Sequence, residues 1–282
     1  MAAHETTSGT ASGGGLRAAL RYYAPTIAVA VGVLVIWELV VTVFNVQQFL
    51  LPRPSAIWAE LQREWALALD ATSGRSLLVE STLATLWEAV GGFVIGCGSG
   101  ILVALVTARW TIINQAMMPL AIAANSVPII AFAPIMNNWF GITNPASKMA
   151  IVAIIVFFPT MINTVRGLTL IDANQLELLR SYAAGPFKIL FALRIPNALP
   201  YIFSALRVAS SLSVIGAVVG EFFGGPRATL GVFITQEAAS FNFARAWTAI
   251  IMAAAIGISF YLLVLFLERR IMPWHASQRA QA

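Results

Sequence analysis

Six times along this chain a run of about 20 residues, enough for a helix to cross the hydrocarbon layer of a bilayer, carries almost no charge. The runs extend from about Ala24 to Phe44, Trp87 to Thr107 (with a polar lead-in from Ser81), Ile113 to Phe140, Met149 to Val165, Tyr201 to Phe223 and Trp247 to Leu267. Composition leaves no other use for them. Of the 282 residues 59% are hydrophobic and 10% charged, with a mean hydropathy of +0.81. A water-soluble surface for a chain this long needs far more charge, so the apolar excess must face lipid. The chain is expected to be an all-α, polytopic membrane protein of about six transmembrane helices.

An even number of crossings returns both termini to one side. With both ends in the cytoplasm, inside segments hold Arg17, Arg21, Arg109, Arg166, Arg180, Lys188, Arg194, Arg269, Arg270 and Arg279. Outside segments hold Arg53, Arg63, Arg75, Lys148, Arg227 and Arg245, leaving Arg207 near the start of the fifth run. The larger basic share belongs in the cytoplasm, so both termini are placed there. The net charge of +5 is accounted for by these scattered loop residues, and no nucleic-acid partner is expected. Residues 1–16, rich in Gly, Ser, Thr and Ala, read as a disordered cytoplasmic tail without the basic start and cleavage pattern of a signal peptide. The chain then divides into 17–78 (first helix and external amphipathic segment), a core of five helices over 79–272, and a cytoplasmic tail over 273–282.

Within segment 55–69, Trp58, Leu61, Trp65 and Leu69 recur at helical spacing with Glu60, Arg63 and Glu64 among them. An amphipathic helix is expected, either lying in the outer headgroup layer or packed against the bundle. Gly92, Gly96 and Gly100 are spaced by four, as are Gly216 and Gly220, a spacing that lets helix backbones approach closely. Pro119, Pro128, Pro134 and Pro159 each remove a backbone donor and predict kinks or breaks inside the bundle. Asn125, Ser126, Asn137 and Asn138 flank those breaks, where they either face a polar path or close hydrogen bonds between helices. Glu38, Glu88 and Glu221 are intramembrane acids and hence candidates for function. Glu221 ranks first, as a gate or vestibule group or as a carboxylate exposed at the interface.

The stretch from about Leu168 to Pro200 is too patterned for a connector. Leu176, Leu179, Ala183 and Phe187 recur at three and four residues, predicting a short amphipathic helix that stops near Gly185 and Pro186. With Glu177, Arg180 and Lys188 on it, the helix is too charged to insert and needs a surface to dock on. The chain cannot hydrolyse ATP through a phosphate-binding loop, so either a partner or an ion gradient would supply any energy it uses: such a loop needs a lysine followed by Ser or Thr. The two lysines, Lys148 and Lys188, precede Met149 and Ile189. One cysteine, Cys97, and two histidines, His4 and His275, provide no metal site, cofactor site or catalytic cluster, so the chain is expected not to be an enzyme.

This segment resembles the cytoplasmic "EAA" loop of the permeases of bacterial ABC importers. The pattern there is Glu-Ala-Ala, three residues, Gly, nine residues, then Ile-x-Leu-Pro. Here it falls on Glu177, Leu178 and Leu179, on Ala183 at the glycine position, and on Leu193 to Pro196, with Gly185 two residues past the alanine. Alanine remains small enough for close docking. Supporting stretches are Leu51 to Ser55, Pro128 to Gly141, Phe157 to Pro159 with Asn163 and Thr164, Ala198 to Pro200, Val219 to Phe222, and Leu230 with Gly231. The resemblance covers about residues 24–274 and is strongest to the nitrate, sulfonate and taurine branch. Arg180 to Ala184 and Val214 to Glu221 look most like members linked to thiamine-pyrimidine or riboflavin uptake.

The resemblance implies a type I importer permease in a bacterial inner membrane, pairing with a second copy of itself. Its implied partners are two ABC ATPase subunits below, an external solute-binding protein and membrane lipid. In it, Glu177, Arg180, Ala183, Gly185 and Pro196 would form the ATPase-coupling helix and its return into the membrane. Asn125, Ser126, Asn137, Asn138 and Glu221 would be candidates for the translocation path or gate. An ion-gradient-driven secondary transporter using Glu38 or Glu221 is the alternative. It lacks support from the two similar halves such carriers show.

Overall fold

The computed structural model describes residues 15–69 and 76–273. Residues 1–14 of the tail expected to be disordered, the C-terminal tail from 274, and residues 70–75 lie outside the described residues. Every regular element among those described is helical. In chain order they are α1 (Gly15–Val43), α2 (Pro54–Leu69), α3 (Leu77–Thr107), α4 (Thr111–Asn125), α5 (Ala133–Phe140), α6 (Pro145–Thr169), α7 (Ala173–Ser181), α8 (Pro186–Ile189), α9 (Ile195–Phe222), α10 (Leu230–Ala239) and α11 (Phe243–Ile271).

Glycine decides which helices touch. Lipid gives no hydrophobic drive for two apolar helices to pair, so close backbone approach must supply the packing. A Cβ at Gly96 of α3 would stand 2.3 Å from the Ala153 carbonyl oxygen. One at Gly92 would stand 2.4 Å from Val152 Cβ, and one at Gly100 2.8 Å from the Phe157 carbonyl oxygen. On the other flank of α6, Gly216 and Gly220 of α9 receive the tips of Ile155 and Ile151. Both glycine stripes therefore face one helix, and α6 is the spine of the bundle.

The same contacts fix direction. Gly92, Gly96 and Gly100 meet successively later residues of α6, so α3 and α6 run parallel. Gly167 meets Ala198 while Gly220 meets Ile151, so α9 runs antiparallel to both. Two parallel neighbours require the chain between them to recross the membrane. The α4–α5 segment makes that crossing with a 75° bend between Asn114–Asn125 and Ile130–Phe140. Added to the five long apolar helices, it completes six crossings with both ends on one side. Of the four prolines expected to kink or break the helices, Pro128 alone sits at a break. Pro119 and Pro159 lie inside continuous helices, and Pro134 occupies the first turn of α5, where a missing N–H costs nothing.

The first helix barely touches the rest; within the span Ala24–Val43 Val41 is buried and its neighbours are open or half-open. Its ties are an edge-to-face contact of Trp37 with Trp247 and Glu38. That carboxylate accepts from the Ser55 backbone N–H (3.1 Å) and hydroxyl (2.8 Å), capping the N-terminus of α2. On α2, Ile57 and Glu64 turn inward, and the helix packs on α11. Trp58, Trp65 and Leu69 point outward, at the level where α1 ends and α3 begins. The expected amphipathic helix is thus present and packs one face against the bundle. Arg245 at the start of α11 pairs with Glu60, Glu64 and Glu237, tying α2, α10 and α11 together at this end.

Candidate functional site

The 168–200 segment begins with Asp172, whose side chain accepts from the Asn174 N–H at 2.9 Å and caps α7. The helix ends at Ser181, earlier than the periodicity predicts. Ala183 is left-handed (φ +50°). Its N–H donates to the Arg180 carbonyl (2.9 Å), and the Ala184 N–H to that of Leu179 (3.1 Å). This double bond pattern is the Schellman C-cap, whose left-handed residue is normally glycine because a Cβ there is strained. The glycine of the loop pattern is therefore a conformational requirement, and alanine meets it under strain. Gly185 has an ordinary φ of −68° and open space around its Cα. Ala183→Gly should accordingly stabilise the loop by about 0.5–1 kcal/mol, read as slower amide exchange across α7, whereas Gly185→Ala should leave exchange unchanged.

Beyond the cap, Pro186 opens α8, which runs through a π-helical turn at Leu190–Arg194 into α9. There the Ile195 N–H donates to the Leu190 carbonyl, five residues back. Pro196, with no N–H and a ring that crowds the carbonyl four residues earlier, accounts for the widened turn. The helix is nonetheless continuous from Pro186 to Phe222. Asn197 anchors the root of the loop: its amide donates to the carbonyls of Gly167 and Leu170, both at 2.8 Å, closing the end of α6.

No residue of α7 or α8 is buried. Leu176 and Leu179 are half-buried toward the bundle, while Glu177 and Leu178 face out. Tyr182 and Phe187 are each 73% exposed. Phe187, grouped by periodicity with the inward leucines, falls outside their face because the Ala183 cap separates the two helices. A short helix fixed at both ends, with Glu177, Leu178 and Arg180 on its free side, is suited to transmit force from a separate body.

A second polar constellation lies at the opposite end of the bundle. The Thr85 hydroxyl donates to Glu221 (2.8 Å) and accepts from the Leu230 N–H (2.9 Å); the Gly231 N–H donates to the other Glu221 oxygen. The Glu88 carboxyl meets that of Glu221. Lys148 donates to Asn137 Oδ1 (3.1 Å) and to the Ile142 carbonyl, and Asn137 Nδ2 to the Phe223 carbonyl (3.1 Å). All of these side chains are buried, with Lys148 and Glu221 wholly so. The network joins α3, α5, α6, α9 and the start of α10. Of the path candidates it unites Asn137 and Glu221; Asn125, Ser126 and Asn138 are exposed elsewhere. Within this chain Glu221 is neither open to a vestibule nor to headgroup water. Sequence reasoning passed over Lys148, Thr85 and Asn197. A lysine at the mouth of an apolar run containing carboxylates in its neighbours was the available signal for the first.

Six crossings with both ends on one side, and a tethered helix standing off the bundle, define a multi-pass membrane protein. The family model described as "binding-protein-dependent transport system inner membrane component" matches residues 96–273, and the chain belongs to that family. It is similar to the riboflavin transport system permease protein RibX of Chloroflexus aurantiacus, 33% identical over 86% of this chain and 87% of the relative. It is 31% identical to the formylaminopyrimidine transport permease protein ThiX of Halalkalibacterium halodurans, over 87% and 93%. The taurine transport system permease protein TauC of Escherichia coli is 28% identical over 86% of each chain. The fold of this chain matches the crystal structure of an amino acid ABC transporter with histidines at a TM-score of 0.53 and 20% identity, over 69% of this chain and 94% of that one. The gradient-driven carrier is set aside: the family is one of transport permeases, and Glu38 is committed to capping α2.

Proposed function

We propose that this chain is the permease of an ATP-driven importer in a bacterial inner membrane. It pairs with a second copy of itself, sits on two ABC ATPase subunits and receives solute from an external binding protein. The observation that carries this reading is the exposure of α7 and α8, which leaves Glu177, Leu178, Tyr182 and Phe187 free for a docking groove. Glu177 makes the polar contact to the ATPase, with Arg180 one turn further along the same coupling helix, the Ala183 cap and Gly185 let its surface approach, and the Pro196 turn passes motion into α9. Ser204, Val208, Ser211 and Ile215 form an open or half-open stripe along α9, supporting half of a pathway that a second copy completes. Asn125, Ser126 and Asn138 are the candidates for lining it. Asn137 and Glu221 act as the outer brace against which it opens. The relatives named for riboflavin and formylaminopyrimidine transport favour a flat nitrogen heterocycle as solute.

Proteoliposomes holding the permease, its ATPase and its binding protein test the reading. ATP should drive uptake of such a heterocycle in preference to taurine. Glu177→Ala should cut uptake by about tenfold or more, equivalent to about 1.4 kcal/mol, while leaving the permease folded. Full ATP-coupled uptake by that variant would overturn the role given to the loop.

A further inference from the structure

A cavity of about 360 Å³ lies between the end of α3 and the 168–200 segment, and three arginines line it: Arg109, Arg180 and Arg194. No carboxylate lines it, and among the described residues none of the three forms an ion pair. Arg194 gives one N–H to the Ala108 carbonyl at 3.2 Å, and Arg109 lies 6.0 Å over the Phe187 ring. Each guanidinium keeps further donors for a guest. Three like charges converging on one small cavity repel one another unless an anion joins them. Fork-shaped guanidinium groups match phosphate oxygens in pairs.

The walls say where that phosphate comes from. Leu105, Ile189 and Leu190 make part of the cavity apolar, as the first carbons below a lipid headgroup require. Trp110, next to Arg109, is 51% exposed in the turn between α3 and α4, a residue type favoured at a membrane surface. This is also the basic end of the bundle, facing the leaflet richer in anionic lipid.

We propose that Arg109, Arg180 and Arg194 bind the headgroup phosphate of an anionic phospholipid, which wedges the coupling segment against the end of α3. The side of the membrane assigned here rests on the reading of that segment given above. Native mass spectrometry of the permease with its ATPase, released from nanodiscs containing phosphatidylglycerol and phosphatidylcholine, tests it. The wild type should retain phosphatidylglycerol in preference to phosphatidylcholine, an outcome that needs no variant to fold. Arg109→Gln with Arg194→Gln should weaken that retention about tenfold, while Arg270→Gln at the same membrane face should not. Equal retention of the two lipids would overturn the proposal, as would equal losses in the double variant and the Arg270 control. Displacement by millimolar inorganic phosphate would assign the pocket to a free anion instead. Loss of the ATPase with the lipid count unchanged would assign the arginines to the protein partner. Lipid retained by a wild type that never binds an ATPase would support the pocket and sink the coupling-loop reading.

Discussion

Lys148→Met is expected to leave the permease without a stable fold in the membrane. Methionine fills nearly the same volume, so the loss is electrostatic. Lys148 is fully buried, and its ammonium is the cation acting on both Glu88 and Glu221. Without it, two carboxyl groups face each other with no other cation acting on them among the described residues, and Asn137 and the Ile142 carbonyl each lose a donor. Removing one partner of a buried charged network costs about 3–5 kcal/mol, a large fraction of the roughly 5–15 kcal/mol that separates folded from unfolded chains. The expected result is aggregation on size-exclusion in mild detergent, or a melting temperature far below that of the wild type. Adding Glu88→Gln removes one of the two facing carboxyl groups and should recover part of the loss. If the network were only an outer gate, Lys148→Met would melt like the wild type and fail in transport alone. Normal melting would therefore refute the bracing role.

The crossings were legible because their cause is local. Lipid demands long uncharged helices, and a run of apolar residues displays that demand directly. The α4–α5 bend was half legible: Pro128 marks it, but only the parallel pairing of α3 and α6 shows that the segment must cross. The helix α7 was legible in position and not in length. Its end depends on Ala183 adopting a left-handed conformation, and an alanine gives no sign of that where a glycine would. The outer network was legible as separate acids and not as a site. Glu88, Lys148 and Glu221 lie far apart in sequence, and their meeting depends on the helix order around α6. Glu38 shows the reverse error. An acid in an apolar run reads as a functional group, and here it caps the neighbouring helix through Ser55.

Gly96 and Gly98 offer the sharpest test of α6 as the spine, because they lie on one helix two residues apart and face opposite ways. A Cβ at Gly96 would come within 2.3 Å of the Ala153 oxygen and 2.7 Å of its Cα, whereas none of the atoms around Gly98 lies within 4 Å of where its Cβ would be. Backbone cannot swing aside as a side-chain tip can, so Gly96→Leu must push α3 and α6 apart along their whole crossing. Even a modest overpacking costs about 1–3 kcal/mol, and here the displaced helix carries Lys148 at one end and Gly167, under the Asn197 anchor, at the other. Both polar sites should fail together. Gly96→Leu is expected to abolish folded protein, while Gly98→Leu should fold and gain up to about 1 kcal/mol from better helix propensity. Melting curves of the two variants in detergent decide it. Equal tolerance at both positions would mean that α3 is held by something other than its glycine stripe, and the parallel packing from which the sixth crossing follows would lose its footing.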